Sequence, residues 1–320
     1  MDLTKKDVEK FATNFRSLID NVEKALFGKR QVIELVVSSM ISEGHVLLED
    51  YPGTGKTALA RALSQSIKGT SSRIQFTPDL LPGDVTGITV YDQKTGKFEF
   101  HAGPIFANVV LADEINRASP KTQSALLEAM EEAKVTVDGN TRTLTKPFIV
   151  LATQNPIEQA GTYPLPEAQL DRFLIKTSVG YPDAASTVRI LEGTVNEASE
   201  LDPVMKLETM NELTEMARAV FVNPRILDYI VRLVEETRSS PQVLMGSSVR
   251  GARNLTKLAK AWAASQGRPF VTPDDVKALA EPVLAHRLVL DPEAQFDGVT
   301  ANAIIQQILL DTTPPTGGDN

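Results

Sequence analysis

The segment Asp50-Tyr51-Pro52-Gly53-Thr54-Gly55-Lys56-Thr57 constrains this chain more than any other. A short apolar run, His45-Val46-Leu47-Leu48-Glu49, precedes it, and Leu59-Ala60-Arg61-Ala62-Leu63 opens a helix after it. A strand that turns through glycines into a helix aims backbone N–H groups and the positive end of the helix at one point, which is how proteins hold phosphate. Gly53 and Gly55 let the backbone curl around an anion, Lys56 brings an ammonium to the outer phosphates, and Thr57 offers a hydroxyl to Mg²⁺. Pro52, Thr54 and Ala58 complete the expected contact segment. One position departs from the general pattern G-x-x-x-x-G-K-[ST]: Asp50 stands where glycine is usual. A carboxylate pointing into the loop would repel phosphate, so its side chain is expected to face away, or affinity falls.

The rest of the chain reads as a frame for that turn. Ile74-Gln75-Phe76, Val109 to Ala112, Phe148 to Ala152 and Leu174 to Val179 are further short apolar runs, with a helix expected over 166–173. Short apolar runs separated by helices indicate a parallel sheet covered on both faces. Val85 to Phe100, around Lys94-Thr95-Gly96, and Lys134 to Leu144, around Asp138-Gly139, read instead as inserted hairpins. Two helices are expected over 4–42, the first capped by Thr4 and apolar at Val8, Phe11, Phe15, Leu18 and Ile19. Beyond Gly180-Tyr181-Pro182-Asp183 the strand-like runs stop, and helices are expected near 184–197, 207–220, 224–238, 248–264 and 274–285. The expected organisation is an α/β P-loop core over 1–182 with hairpins near 85–100 and 134–146, an all-helical lid over 183–311, and a loose tail over 312–320.

Val109-Val110-Leu111-Ala112-Asp113-Glu114 is a buried strand ending in two carboxylates. Strand C-termini of a parallel sheet open on the edge that carries the phosphate turn. Asp113 is then placed to reach Mg²⁺, and Glu114 to polarise a water for in-line attack. Composition narrows the alternatives. The chain contains no cysteine, which excludes disulfides, thiolate zinc sites and cysteine nucleophiles, and its three histidines, His45, His101 and His286, are far apart. With 33 basic and 41 acidic residues the net charge is −8, which argues against a protein built to coat nucleic acid. No secretory leader and no apolar run long enough to span a membrane is seen, so a cytoplasmic protein is expected.

The order Gly-Thr-Gly-Lys-Thr, Leu-Ala-Asp-Glu-Ile-Asn-Arg-Ala, Ala-Thr-Gln-Asn-Pro and Leu-Asp-Arg-Phe resembles the MoxR family of AAA+ ATPases over about residues 20–290. The two hairpins fall where the helix-2 and pre-sensor-1 inserts of that clade belong. The resemblance implies an ATP- and Mg²⁺-dependent homo-oligomer, a hexameric ring, that remodels a client protein or helps insert a metal or cofactor. It also implies a separate partner with a von Willebrand factor A domain. Carried over by motif, Asn155 matches the polar sensor residue, and Arg172 matches an arginine finger acting on a neighbouring subunit, with Arg117 as a competing trans cation. Arg250 matches the second sensor, contacting nucleotide in cis from the lid. Phe27 and Gly28 are expected near the nucleotide base, although an aromatic-Gly pair also ends helices.

Two rival functions differ in class. A DNA-acting motor with similar inserts is disfavoured by the acidic charge, and a nucleotide-gated adaptor without turnover is disfavoured by the complete set of hydrolytic residues. Tyr91, Phe98 and Phe100 on the first hairpin are candidates for gripping a partner, or they pack across the strands. Trp262 is expected in the lid core.

Overall fold

The computed structural model describes residues 3–156, 162–193 and 196–315. Met1 and Asp2, residues 194–195 in the helix expected to reach 197, and the end of the tail, 316–320, lie outside the described residues. Helix α1 (Lys5–Glu23) starts at Thr4, whose hydroxyl accepts the Asp7 N–H at 3.2 Å while the Asp7 carboxylate accepts the Thr4 N–H at 2.9 Å. Its apolar stripe, Val8, Phe11, Phe15, Leu18 and Ile19, is buried throughout. Next come α2 (Arg30–Ile41), β1 (Val46–Glu49), α3 (Lys56–Ser66), β2 (Ser71–Gln75), α4 (Pro82–Thr86), β3 (Gly87–Asp92) and β4 (Lys97–Ala102). The α/β part continues with β5 (Val109–Asp113), α5 (Pro120–Glu132), β6 (Lys134–Val137), β7 (Asn140–Thr143), β8 (Ile149–Gln154), α6 (Glu167–Leu170) and β9 (Ile175–Thr177).

Among the described residues the central sheet has five strands in the order β2-β5-β8-β1-β9, all parallel. Parallel pairing puts every C-terminal end on one edge, and β1, in the interior of the order, leaves that edge through the glycine turn into α3. The apolar runs alternate between two cores. Val46, Leu48, Val109, Leu111, Ile149 and Leu151 face one that includes α1, α2, α3 and the later helices, and Leu47, Val110, Ala112, Val150 and Ala152 face one that includes α5. Both faces being covered explains the uninterrupted apolar runs over 46–48, 109–112 and 149–152 in β1, β5 and β8.

The hairpins are β3 with β4 and β6 with β7, both antiparallel. Asp138 and Gly139 turn the second with φ of 51° and 75°, the left-handed pair that a two-residue connection requires. Val85, expected in the first hairpin, lies in α4. The Arg142 guanidinium sits 3.7 Å from the centre of the Phe100 ring and ties the two hairpins together.

The later helices are α7 (Ala184–Leu191), α8 (Leu207–Ala219), α9 (Pro224–Ser239), α10 (Val249–Ser265), α11 (Pro273–Leu284), α12 (Pro292–Phe296) and α13 (Ala301–Asp311). Two expectations are corrected. Strands do not stop at residue 180, because β10 (Val243–Met245) pairs antiparallel with β11 (Val289–Leu290). Segments of three and two residues are too short to show an alternation in sequence. The helix expected over 166–173 is one turn, since Arg172 N and Phe173 N bond carbonyls three residues back, at 3.2 and 3.1 Å. Helix α13, which buries Ile304, Ile305 and Ile308, extends the helical part beyond the expected elements. Trp262 packs half-buried against the core. No helix among the described residues is long and apolar enough to cross a membrane.

His45 joins the sheet to α5. Its Nδ1 accepts the Val150 N–H at 3.0 Å, so Nε2 carries the proton and donates to the Met130 carbonyl at 2.9 Å. Burial lowers its pKa from 6.5 to about 4. The unfolded chain therefore binds the extra proton between those values, so the contribution is complete above pH 6.5 and drains away as pH falls towards 4. From pH 7 to pH 5 this side chain is expected to remove about 2 kcal/mol of stability. Urea midpoints at the two pH values should show a smaller pH-dependent loss in His45→Gln than in the wild type. An equal loss in both chains would remove His45 as the cause.

Candidate functional site

The glycine turn adopts the conformation its residues predict. Gly53 and Gly55 have φ of 83° and 93°, the left-handed region that side chains disfavour, and Gly55 is the N-cap of α3. Lys56 opens that helix and donates from Nζ to the carbonyls of Asp50 and Tyr51, at 3.3 and 3.2 Å, which folds it back over the turn. Asp50 is 3% exposed, and although the residue borders the cleft its carboxylate is turned to the segment after β9. Its carboxylate accepts the Val179 N–H at 2.7 Å, the Gly180 N–H at 2.8 Å and the Ser178 hydroxyl at 2.9 Å. The unusual acid thus ties β1 to the end of β9, and its charge is taken up by those donors instead of confronting a phosphate.

Pro52, Gly53, Thr54, Gly55, Lys56 and Thr57 line one side of a cleft of about 250 Å³, and Asp113, Glu114 and Asn155 line the other. The two acids therefore lie on the edge of the turn. Thr153 organises them: its hydroxyl donates to Asp113 Oδ1 at 2.6 Å and accepts the Glu114 N–H at 2.9 Å. Glu114 has φ 57° and ψ 50°, a left-handed conformation that turns its side chain out of the strand line. Gln75 Nε2 donates to its Oε2 at 2.8 Å, Arg117 pairs with the same oxygen at 3.1 Å, and Arg73 pairs with Asp113 Oδ2 at 2.6 Å. Sequence reading passed over Arg73, Gln75 and Thr153. The signal available was register, because Gln75 pairs with Asp113 across β2 and β5, which sets Arg73 and Gln75 beside the acids. Arg117, the competing trans cation, is engaged by Glu114 of its own chain.

Thr57, Asp113 and Glu114 offer hard oxygen donors, and Thr153 holds Asp113 in place, so the donor chemistry fits a hard divalent cation such as Mg²⁺. Phe27 and Gly28 do not line the cleft. Leu26, beside them, stands 2.7 Å from where a Cβ on Gly55 would be. Phe27 lies under the Arg189 guanidinium at 4.1 Å, and a Cβ on Gly28 would meet Ser186 at 2.7 Å. Ala58 is half-buried on α3 against the core.

Arg172 and Arg250 also stand apart from this cleft. Both line a larger one, about 830 Å³, between the α2–β1 turn, α5 and helices α8 to α10. Arg172 Nε lies 3.3 Å from Glu131 Oε2, and Arg250 Nη2 lies 2.6 Å from Glu131 Oε1. Asp171 is fixed by Arg287, whose Nε is 2.8 Å from its Oδ1, and by the Ser248 hydroxyl at 3.1 Å. Arg287 is buried, which lowers its pKa to about 10. Arg172 therefore pairs with Glu131 and not with its chain neighbour Asp171, which Arg287 and Ser248 occupy.

Two family signatures match the chain: the ATPase family associated with various cellular activities (AAA) over residues 45–175, and the AAA lid domain over 235–308. The chain is 50% identical to the uncharacterized protein YeaC of Bacillus subtilis, covering 91% of this chain and 92% of that one. It is 40% identical to Chaperone MoxR1 of Mycobacterium tuberculosis, over 93% and 81%. Identity to Protein MoxR of Paracoccus denitrificans is 30%, over 89% and 91%. The crystal structure of a candidate ATPase from Cytophaga hutchinsonii superposes with a TM-score of 0.91 at 37% identity, covering 97% of this chain and 98% of that one.

Proposed function

The chain belongs to the MoxR family of AAA+ ATPases, and we propose that it hydrolyses ATP as a cytosolic, ring-forming motor that remodels a client protein, including loading it with a metal or cofactor. The observation that carries the reading is the single cleft into which the glycine turn, Asp113, Glu114 and Asn155 converge. The backbone N–H groups of Gly53 to Lys56 and the Lys56 ammonium would hold the phosphates, Thr57 and Asp113 would hold Mg²⁺, and Asn155 would position the attacking water. Bound Mg²⁺ would neutralise charge building on the phosphate oxygens. Glu114 draws the proton from the water once its carboxylate leaves Gln75 and Arg117.

Arg172 faces away from its own cleft, so its stabilising charge is delivered to the nucleotide of a neighbouring subunit in a head-to-tail hexamer. Arg250 shares a carboxylate with Arg172 and is assigned to the same trans surface. A separate protein with a von Willebrand factor A domain is the expected partner. The printed name of the mycobacterial relative, a chaperone, supports the client-remodelling part of the reading.

The direct test is phosphate release from Mg²⁺-ATP by the purified chain, with calorimetry of nucleotide binding. Lys56→Ala is expected to lower nucleotide affinity at least about tenfold and to abolish turnover, because it removes the ammonium that the glycine turn itself brings to the outer phosphates. Unchanged binding in that variant, or no turnover in the wild type, would remove the reading.

A further inference from the structure

Glu131 stands at the end of α5 and, among the described residues, is the one carboxylate that pairs with both arginines of the proposed trans surface. Its two oxygens are divided between them, Oε2 to Arg172 and Oε1 to Arg250. Arg172 comes from the turn before β9 and Arg250 from the first turn of α10, so two long side chains from separate parts of the fold converge on one acid. Without it, two like charges lining the same cleft would repel and spread. Arg172 approaches through Nε, the inner corner of the guanidinium, which leaves the terminal edge for a bidentate acceptor such as a phosphate.

Neighbouring contacts fix the frame of the pair. Arg287, anchored by Asp171 and by the Val283 and Phe173 carbonyls, sets the backbone on either side of Arg172. Asp171 also lies 4.0 Å from Arg250 Nε. Helix α5 (Pro120–Glu132) is capped by Ser119, two residues after Arg117, which pairs with Glu114. Its length, about 20 Å, makes one rigid element between the subunit's own hydrolytic acid and the acid that gathers its arginines. All three side chains are half-exposed, and ion pairs of that kind contribute little to folding. Their arrangement suits placement of charge better than support of the fold.

We propose that Glu131 is a positioning residue that presents Arg172 and Arg250 together to the nucleotide of the neighbouring subunit. This rests on the trans assignment of the two arginines made above. Misplacing a transition-state charge by about 1 Å costs up to 100-fold in rate, and Glu131→Ala is expected to lower kcat about tenfold while leaving ATP affinity of its own cleft within about twofold.

The deciding measurement mixes subunits. Glu131→Ala keeps an intact phosphate turn, and Lys56→Ala keeps intact arginines together with Glu131. In a one-to-one mixture, sites that join the two recover, and turnover should rise about fivefold above the rate expected from simple dilution. Arg172→Ala mixed with Lys56→Ala serves as the control. Rescue by Arg172→Ala but not by Glu131→Ala would overturn the role of Glu131 and leave the trans reading standing. Rescue in neither mixture would remove both. Full turnover by Glu131→Ala alone would also overturn the proposal. Glu131→Gln, which keeps the length and one acceptor of the side chain, gives the same readout should the alanine chain be poorly soluble.

Discussion

Glu114→Gln is expected to bind Mg²⁺-ATP with near wild-type affinity and to hydrolyse it at least about 100-fold more slowly. The substitution keeps shape and an acceptor oxygen, so Gln75 still has a group to bond, and Thr153 still accepts the backbone N–H of residue 114. The lost property is basicity. An amide cannot take the proton of the attacking water, and a positioned general base contributes about 10² to 10⁴ in rate. The phosphate turn, the Lys56 ammonium and the Asp113 carboxylate are unaltered, which is why binding and turnover should separate. Calorimetry with ATP and single-turnover phosphate release measure the two halves independently. Ordinary turnover would show that another group activates the water. Loss of binding would show that Glu114 shapes the cleft instead of acting in it.

The same residue shows what sequence could and could not foretell. That two acids follow a buried strand and meet the glycine turn was legible, because a parallel sheet sends all its C-terminal ends to one edge. The strands themselves were legible because burial on both faces leaves uninterrupted apolar runs such as Val109 to Ala112. The partners of Glu114 were not. Gln75 and Arg73 belong to β2, about forty residues earlier, and only the pairing of Gln75 with Asp113 brings them close. Asp50 was half-legible: charge repulsion demanded that it turn away, but the donors that receive it, Ser178, Val179 and Gly180, lie some 130 residues later. The β10–β11 pair escaped because so few residues make it that tertiary context alone decides its conformation.

Long-range partners also decide how the arginines are read. Motif order assigned Arg172 to a neighbour and Arg250 to its own nucleotide, whereas the structure gathers both on Glu131, in a cleft lined by none of the residues of the glycine turn. Local sequence holds no trace of this, because the three side chains come from α5, the turn before β9, and α10. Tertiary packing alone brings them together.

Arg172→Ala is accordingly expected to leave ATP binding intact and to reduce kcat by about 10³ or more, the range in which trans-acting arginines work on phosphoryl transfer. The loss should be large because a guanidinium stabilises charge on phosphate oxygens only as the bond breaks, so it adds little to ground-state affinity. A cis residue and a trans residue give the same result in the pure variant, and mixing separates them. Lys56→Ala subunits lack a working cleft but carry an intact Arg172. If Arg172 works across the interface, a random one-to-one mixture restores about a quarter of the wild-type sites, since half the clefts are intact and half of their neighbours supply the arginine. If it works within its own subunit, every chain in the mixture lacks one necessary group, and turnover stays at the sum of two inactive proteins. The same mixture made with Arg117→Ala in place of Arg172→Ala should stay inactive if Arg117 acts on its own Glu114, the carboxylate it touches at 3.1 Å. Recovery with Arg117→Ala and none with Arg172→Ala would exchange the roles of the two arginines.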